Sequence, residues 1–231
     1  MCGKSNAKDF VPYVMHRKGT EPLCSGVMLS SKVILTTARC VYDTSIWDLA
    51  VKIEHKGLEQ ENFKLIRKMV HSNFKPEDGQ YSHDVALLVL DKELKTITNG
   101  DYMCLPSSNA HSESCYFRHT PSQSPIKVFP TTNCDKNLQL SDFQTNLYLN
   151  NGSFCAVSSY SDTISPLLGA QPLTCIPNLS RNSVKVSKKE HIAGLLTRFW
   201  PKTRETDATF AFVDVSKYVD WINLQMNKLY S

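Results

Sequence analysis

The chain has 231 residues, 41% hydrophobic and 21% charged, with a formal net charge of +4. That is enough length and apolar content for one large domain or two small ones. The mild charge gives no basis for a nucleic-acid partner, and no run approaches the roughly eighteen apolar residues of a membrane span.

In chain order, the first segment, MCGKSNAKDF, lacks the apolar core of a signal peptide, so a signal and any upstream module are expected to have been removed or left outside the record. Short β-type runs follow, separated by turn clusters. They are SGVMLSSKVILTT (25–37), LAVKIEH (49–55), FKLIRKMV (63–70), DVALLVL (84–90), HIAGLLTRF (191–199) and ATFAFVDV (208–215). The stretch 106–150, rich in Ser, Thr, Asn and Pro, reads as surface loops. From Val215 the pattern changes: Val219, Ile222, Met226 and Leu229 recur at helical spacing, and Asp214 or Ser216 could cap the start. The expectation is an all-β barrel or sandwich closed by one amphipathic helix.

Eight cysteines are spread singly: Cys2, Cys24, Cys40, Cys104, Cys115, Cys134, Cys155 and Cys175. None forms the close pairs that zinc sites use, so disulfides in an oxidising compartment are expected, with no metal and no cofactor. Sequons at Asn151 and Asn178 agree with secretion and a glycoprotein.

Three blocks then fall in a telling order: CSGVMLSSKVILTTARC from Cys24, HDVALLVLDKEL from His83, and GAQPLTC from Gly169, followed by IAGLLTRF and the terminal helix near VSKYVDWI. Together, from about Val11 to Trp221, they resemble the trypsin-like, chymotrypsin-fold serine proteases. The corresponding family blocks read C-x-G-x-L-I-x-x-x-x-V-L-T-A-A-H-C, D-I-A-L-L and G-D-S-G-G-P-L-x-C. The resemblance implies two six-stranded β-barrels with a C-terminal α-helix. It divides the chain into a light-chain remnant or linker at 1–10 and a protease-homologue domain at 11–231. The C-G start resembles the junction after a clip-type pro-domain of arthropod members.

Carried over residue by residue, the family's histidine base falls on Arg39, its orienting aspartate on Asp84 and its nucleophilic serine on Gly169. Glycine has no side chain to attack with, and an arginine stays protonated and cannot accept a proton. Neither His71 nor His83 nearby would supply the missing nucleophile. The oxyanion loop falls on Leu167 and Gly169, and the aspartate that pairs with a new amino terminus falls on Leu168. The specificity pocket falls on Thr163 and on Thr197, Arg198 and Phe199, where Phe199 in place of a glycine would fill the pocket mouth. The pocket cystine is absent, with Ser165 at its first half.

The resemblance selects the pairings Cys24–Cys40, Cys115–Cys175 (tying the barrel halves), Cys134–Cys155 and Cys2–Cys104. A buried Asp84 needs a partner, and Arg39 is the nearest by inheritance. The basic segment RNSVKVSKKE, with Arg181, Lys185, Lys188 and Lys189, reads as a solvated loop. The cluster Arg198–Pro201 reads as a cleft plugged by its own side chains, or else as a partner surface. The expectation is therefore a secreted pseudoprotease that is not an enzyme. It would bind protein partners, such as proteases or zymogens, as cofactor, adaptor or decoy in a cascade such as innate immunity. Two alternatives stand beside it: an endopeptidase of unusual design, and a venom-type binding protein outside any cascade.

Overall fold

A computed structural model describes residues 10–55, 61–76, 82–95, 102–107, 114–117, 126–130, 152–158, 169–176, 190–200 and 208–230. The strands are β1 (Phe10–His16), β2 (Pro22–Ser25), β3 (Val27–Met28), β4 (Val33–Thr36), β5 (Leu49–His55), β6 (Glu61–Val70) and β7 (Ala86–Leu90). They continue as β8 (Ser114–Phe117), β9 (Lys127–Pro130), β10 (Ser153–Ser158), β11 (Pro172–Ile176), β12 (His191–Trp200) and β13 (Ala208–Asp214). Among the described residues one α-helix, α1 (Val219–Tyr230), follows a 3-10 turn at Val215–Tyr218. The stretch expected to be surface loops contains β8 and β9, and the rest of it lies mostly outside the described residues.

The first sheet runs β2-β1-β5-β6-β7-β4-β3. Its two ends, β2 and β3, are consecutive in the chain and separated only by Gly26, so one bent strand closes the sheet into a barrel. The bend is possible because residue 26 has no side chain: a Cβ there would lie 2.7 Å from the Leu35 carbonyl oxygen and 2.8 Å from an Ile34 methyl. The second sheet runs β8-β11-β12-β13-β10-β9. Its ends meet through a bridge between Cys115 and Ile126, with the Ile126 N–H donating to the Cys115 carbonyl at 2.9 Å. Two nearly closed antiparallel barrels and one terminal helix make this a chymotrypsin-like all-β fold.

The apolar runs of β4 and β7 follow from where their two faces point. Successive side chains alternate across a strand. Ile34, Ala86, Leu88 and Leu90 enter the core of the first barrel with Val14, Val51 and Phe63. Val33, Leu35, Val85, Leu87 and Val89 face the seam, where they meet Ile192, Leu195, Val213 and Ile222. Both faces are buried, so neither strand shows polar alternation. The second barrel packs its own interior around Phe117, Phe154, Phe210, Phe212 and Leu173.

The helix docks on the seam through Ile222, with Trp221, Met226 and Leu229 packed alongside. Asp214 caps its leading turn: its carboxylate accepts from the Ser216 N–H at 3.1 Å and from the Ser216 hydroxyl. Asp214→Ala should cost about 1 kcal/mol of stability, the usual worth of such a cap. Urea unfolding monitored by Trp fluorescence measures it, and an unchanged midpoint would show that the cap contributes nothing.

Candidate functional site

β4 and β7 are antiparallel neighbours, with Thr36 opposite Ala86. The 3-10 turn Ala38–Cys40, which follows β4, therefore comes to rest beside Asp84, which precedes β7. The Arg39 N–H donates to Asp84 Oδ1 at 2.7 Å, and its guanidinium Nε donates to Asp84 Oδ2. Nη1 reaches across the seam to the Thr197 carbonyl at 3.1 Å, and the Thr197 hydroxyl donates to the Ala211 carbonyl at 3.0 Å. The guanidinium thus ties a turn of the first barrel to β12 of the second. The Asp84 side chain is 1% exposed and that of Arg39 is 20% exposed. Burial pushes the Asp84 carboxyl up, while the Arg39 charge and the backbone hydrogen bonds of Arg39 and Ala38 oppose the rise.

Gly169 sits at the start of the segment leading into β11. Its carbonyl accepts from the Ser25 N–H at 2.9 Å, and the next residue, Ala170, donates its N–H to Leu196 at 2.8 Å. A Cβ at 169 would lie 3.1 Å from Cys24 Sγ and 3.6 Å from Cys40 Sγ, so the backbone rests directly on that cystine. Ala170 takes a left-handed conformation, φ 62°.

Cys24–Cys40 and Cys115–Cys175 are bonded. The second joins β8 to its neighbour β11, where Cys175 lies opposite Cys115. It therefore staples two strands of one barrel and does not tie the barrel halves, as had been expected. Cys104 and Cys155 are disulfide-bonded. Their expected partners, Cys2 and Cys134, lie outside the described residues, as do Thr163, Ser165, Leu167, Leu168, Asn151, Asn178 and the basic segment 181–189.

The expected pocket wall packs inward. Phe199 is half-buried and stacked on Phe210, ring centroids 5.2 Å apart, against the second core. Arg198 and Trp200 are likewise half-buried. The most exposed of the large hydrophobic side chains among the described residues is elsewhere: Trp47, 71% exposed, lines a groove of about 720 Å³ with His16, Arg17, Lys18, Asp43, Thr44, Ser45 and Asp48. Lys68 builds the loop behind it, donating to the carbonyls of Val41 and Thr44 at 2.6 Å each and of Tyr42 at 3.3 Å. The Arg17 N–H fixes the facing turn by donating to the Asp48 carbonyl at 2.7 Å. Sequence reasoning missed this groove because its walls lie in separate turns; the only signal was a Trp in a polar stretch after Cys40. Among the described residues no three His, Cys, Asp or Glu side chains gather to hold a metal, and no helix is long and apolar enough to cross a membrane.

A nearly closed double barrel with its turn, aspartate and pre-β11 segment converging at the seam defines the serine-protease class of fold. A family model for trypsin matches residues 2–163, and the chain belongs to that family. It is 22% identical to tissue-type plasminogen activator of Mus musculus over 91% of its own length and 40% of that protein. It is 35% identical to coagulation factor IX of Cavia porcellus over 32% of its length and 27% of that protein. The chain thus spans less than half of each of these relatives. Membership among serine proteases, with relatives that are proteases, overturns the expectation that the chain is not an enzyme. The substitutions at 39 and 169 concern one proton-relay arrangement and do not exclude every nucleophile or base in a cleft.

Proposed function

We propose that this chain works by binding protein in an extracellular proteolytic cascade, as a cofactor, adaptor or decoy of the kind used in innate immunity. The observation that carries the reading is the braced groove around Trp47. Trp and Arg dominate binding energy at protein interfaces, and pre-organised loops lower the cost of binding. The groove's lining carries both signs of charge, Arg17 and Lys18 with Asp43 and Asp48, a composition suited to a protein segment bearing both charges. The cystines support an oxidising, secreted setting. One relative is by name an activator of plasminogen and the other a coagulation factor, which supports a cascade context.

The test is binding of immobilised chain to a panel of trypsin-family zymogens and active proteases. Trp47→Ala is expected to weaken capture roughly thirtyfold, the effect of a 2 kcal/mol hot spot. Equal capture by the variant, or capture of no protease or zymogen, would overturn the reading. Family membership favours a second reading, a serine-type endopeptidase of unusual design. Turnover of broad peptide substrates, or specific labelling by a fluorophosphonate, would support it.

A further inference from the structure

His71, just after β6, and His83, just before Asp84, lie in different segments, yet their rings stack face to face. The centroids are 4.8 Å apart and the planes are inclined by 6°. Two rings from the C-terminal region close over them. Tyr218 meets His71 edge-on at 5.6 Å and His83 at 5.9 Å, and Trp221 lies 5.1 Å from His71. Three segments therefore meet in one four-ring cluster: the end of β6, the turn that delivers Asp84, and the beginning of the C-terminal helix.

The hydrogen bonding of His71 suits its neutral form. His71 Nδ1 accepts from the Asn73 N–H at 3.2 Å, which occupies its lone pair. His83 Nδ1 is buried and has no hydrogen-bond partner among the described residues. His83 is also held at φ 56°, a left-handed conformation that a β-carbon disfavours, so its turn depends on surrounding contacts. A proton on His71 Nδ1 would break the Asn73 contact, and one on either ring would put a cation against its stacked neighbour.

We propose that the stacked His71–His83 pair is an acid-released latch that holds the start of the C-terminal helix against the turn carrying Asp84.

The surrounding charges do not neutralise such a cation. Tyr218 remains a phenol, its pKa pushed up to about 12 by burial and by Asp214 and Asp84, against a hydrogen bond from the His83 backbone. Asp84 is engaged by Arg39, and Asp214 by Ser216. Lys217 and Asp220, on the helical side, are exposed. Burial, and secondarily His83, lower the His71 pKa from its ordinary 6.5. A lowered histidine binds fewer protons when folded than when unfolded, so its contribution is present above about pH 6.5 and is lost as pH falls below it. The latch is independent of whether the chain binds or cleaves.

Hydrogen exchange of the full disulfide-bonded chain tests it. After correction for intrinsic rates, residues 215–230 are expected to exchange on the order of fivefold faster at about pH 5.5 than at about pH 7.5. The double variant His71→Phe/His83→Asn keeps an aromatic ring at 71 and an αL-tolerant residue at 83, and it should lose that difference. Absence of acceleration in the wild type, or its persistence in the variant, would overturn the proposal. Should the variant not fold, NMR of the wild type decides. The His71 ring resonances should titrate below the value of a free histidine, with an inflection matching that of the Trp221 indole N–H, and separate inflections would refute the latch.

Discussion

Replacing Arg39 with alanine is expected to destabilise the protein by roughly 3–5 kcal/mol at neutral pH, the cost of stripping one partner from a buried ion pair. Asp84 is almost wholly enclosed, and three hydrogen bonds from Arg39 (one backbone, two guanidinium) link the turn after β4 to Asp84 and to Thr197. Without the guanidinium, burial of the carboxylate stands with only backbone N–H groups to oppose it. Its pKa then rises further above the unfolded value. A carboxyl raised on folding binds its proton more tightly in the folded state, so the penalty is greatest at high pH and shrinks as pH falls toward about 4. The quantity to measure is the variant-minus-wild-type difference in urea unfolding free energy across that range, in which His71 and other common groups cancel. Arg39→Lys should lose less, since it keeps the charge but not the planar fork that serves Asp84 and Thr197 together. A pH-independent loss below about 1 kcal/mol in Arg39→Ala would show that water, not Arg39, satisfies Asp84.

The second large effect belongs to Cys115–Cys175. Both sulfurs are buried in the second barrel and lie opposite one another on β8 and β11, with 60 residues of sequence separation. Closing a loop of that length removes unfolded-chain entropy worth about 4 kcal/mol in the simple chain model. The double Cys115→Ala/Cys175→Ala variant should therefore lower the unfolding temperature by roughly 8–16 °C for a chain of this size. β8 should suffer first, because it is a four-residue edge strand held by its ladder to β11, the bridge to Ile126 and this cystine. A scanning-calorimetry shift of under about 2 °C would mean that the ladder alone holds the edge.

These two cases show where the sequence was readable. β5 was legible at its observed limits, and β12 and β13 to within a residue. Apolar residues there alternate or run together over a length that local chemistry alone can specify. The helix announced itself through Val219, Ile222, Met226 and Leu229, and Asp214 serves as its cap. β8 (SCYF) and β9 (KVFP) were not legible, because four residues are too few for a period to appear; each is a strand only because β11 or β10 offers it a ladder. The site divided the same way. Arg39 beside Asp84 followed from the order of motifs. The reach of Arg39 to Thr197 did not, since it joins positions 158 residues apart. Phe199 was expected to fill a pocket mouth; that its ring stacks on Phe210 was not legible, since the pairing of β12 with β13 sets the two rings side by side.

What the sequence determined by itself is covalent: a guanidinium and no imidazole at 39, a carboxylate at 84, no side chain at 169, and cysteines placed for staples. Such identities set which chemistry each position can offer wherever it lies. The tertiary structure alone decided which groups meet. Closure of two barrels on one seam brought Arg39 to Thr197, stacked His71 on His83 beneath the helix, and left Trp47 in water while it set Phe199 against Phe210. Those outcomes depend on free energies of packing summed over distant segments, which no local pattern of residues records.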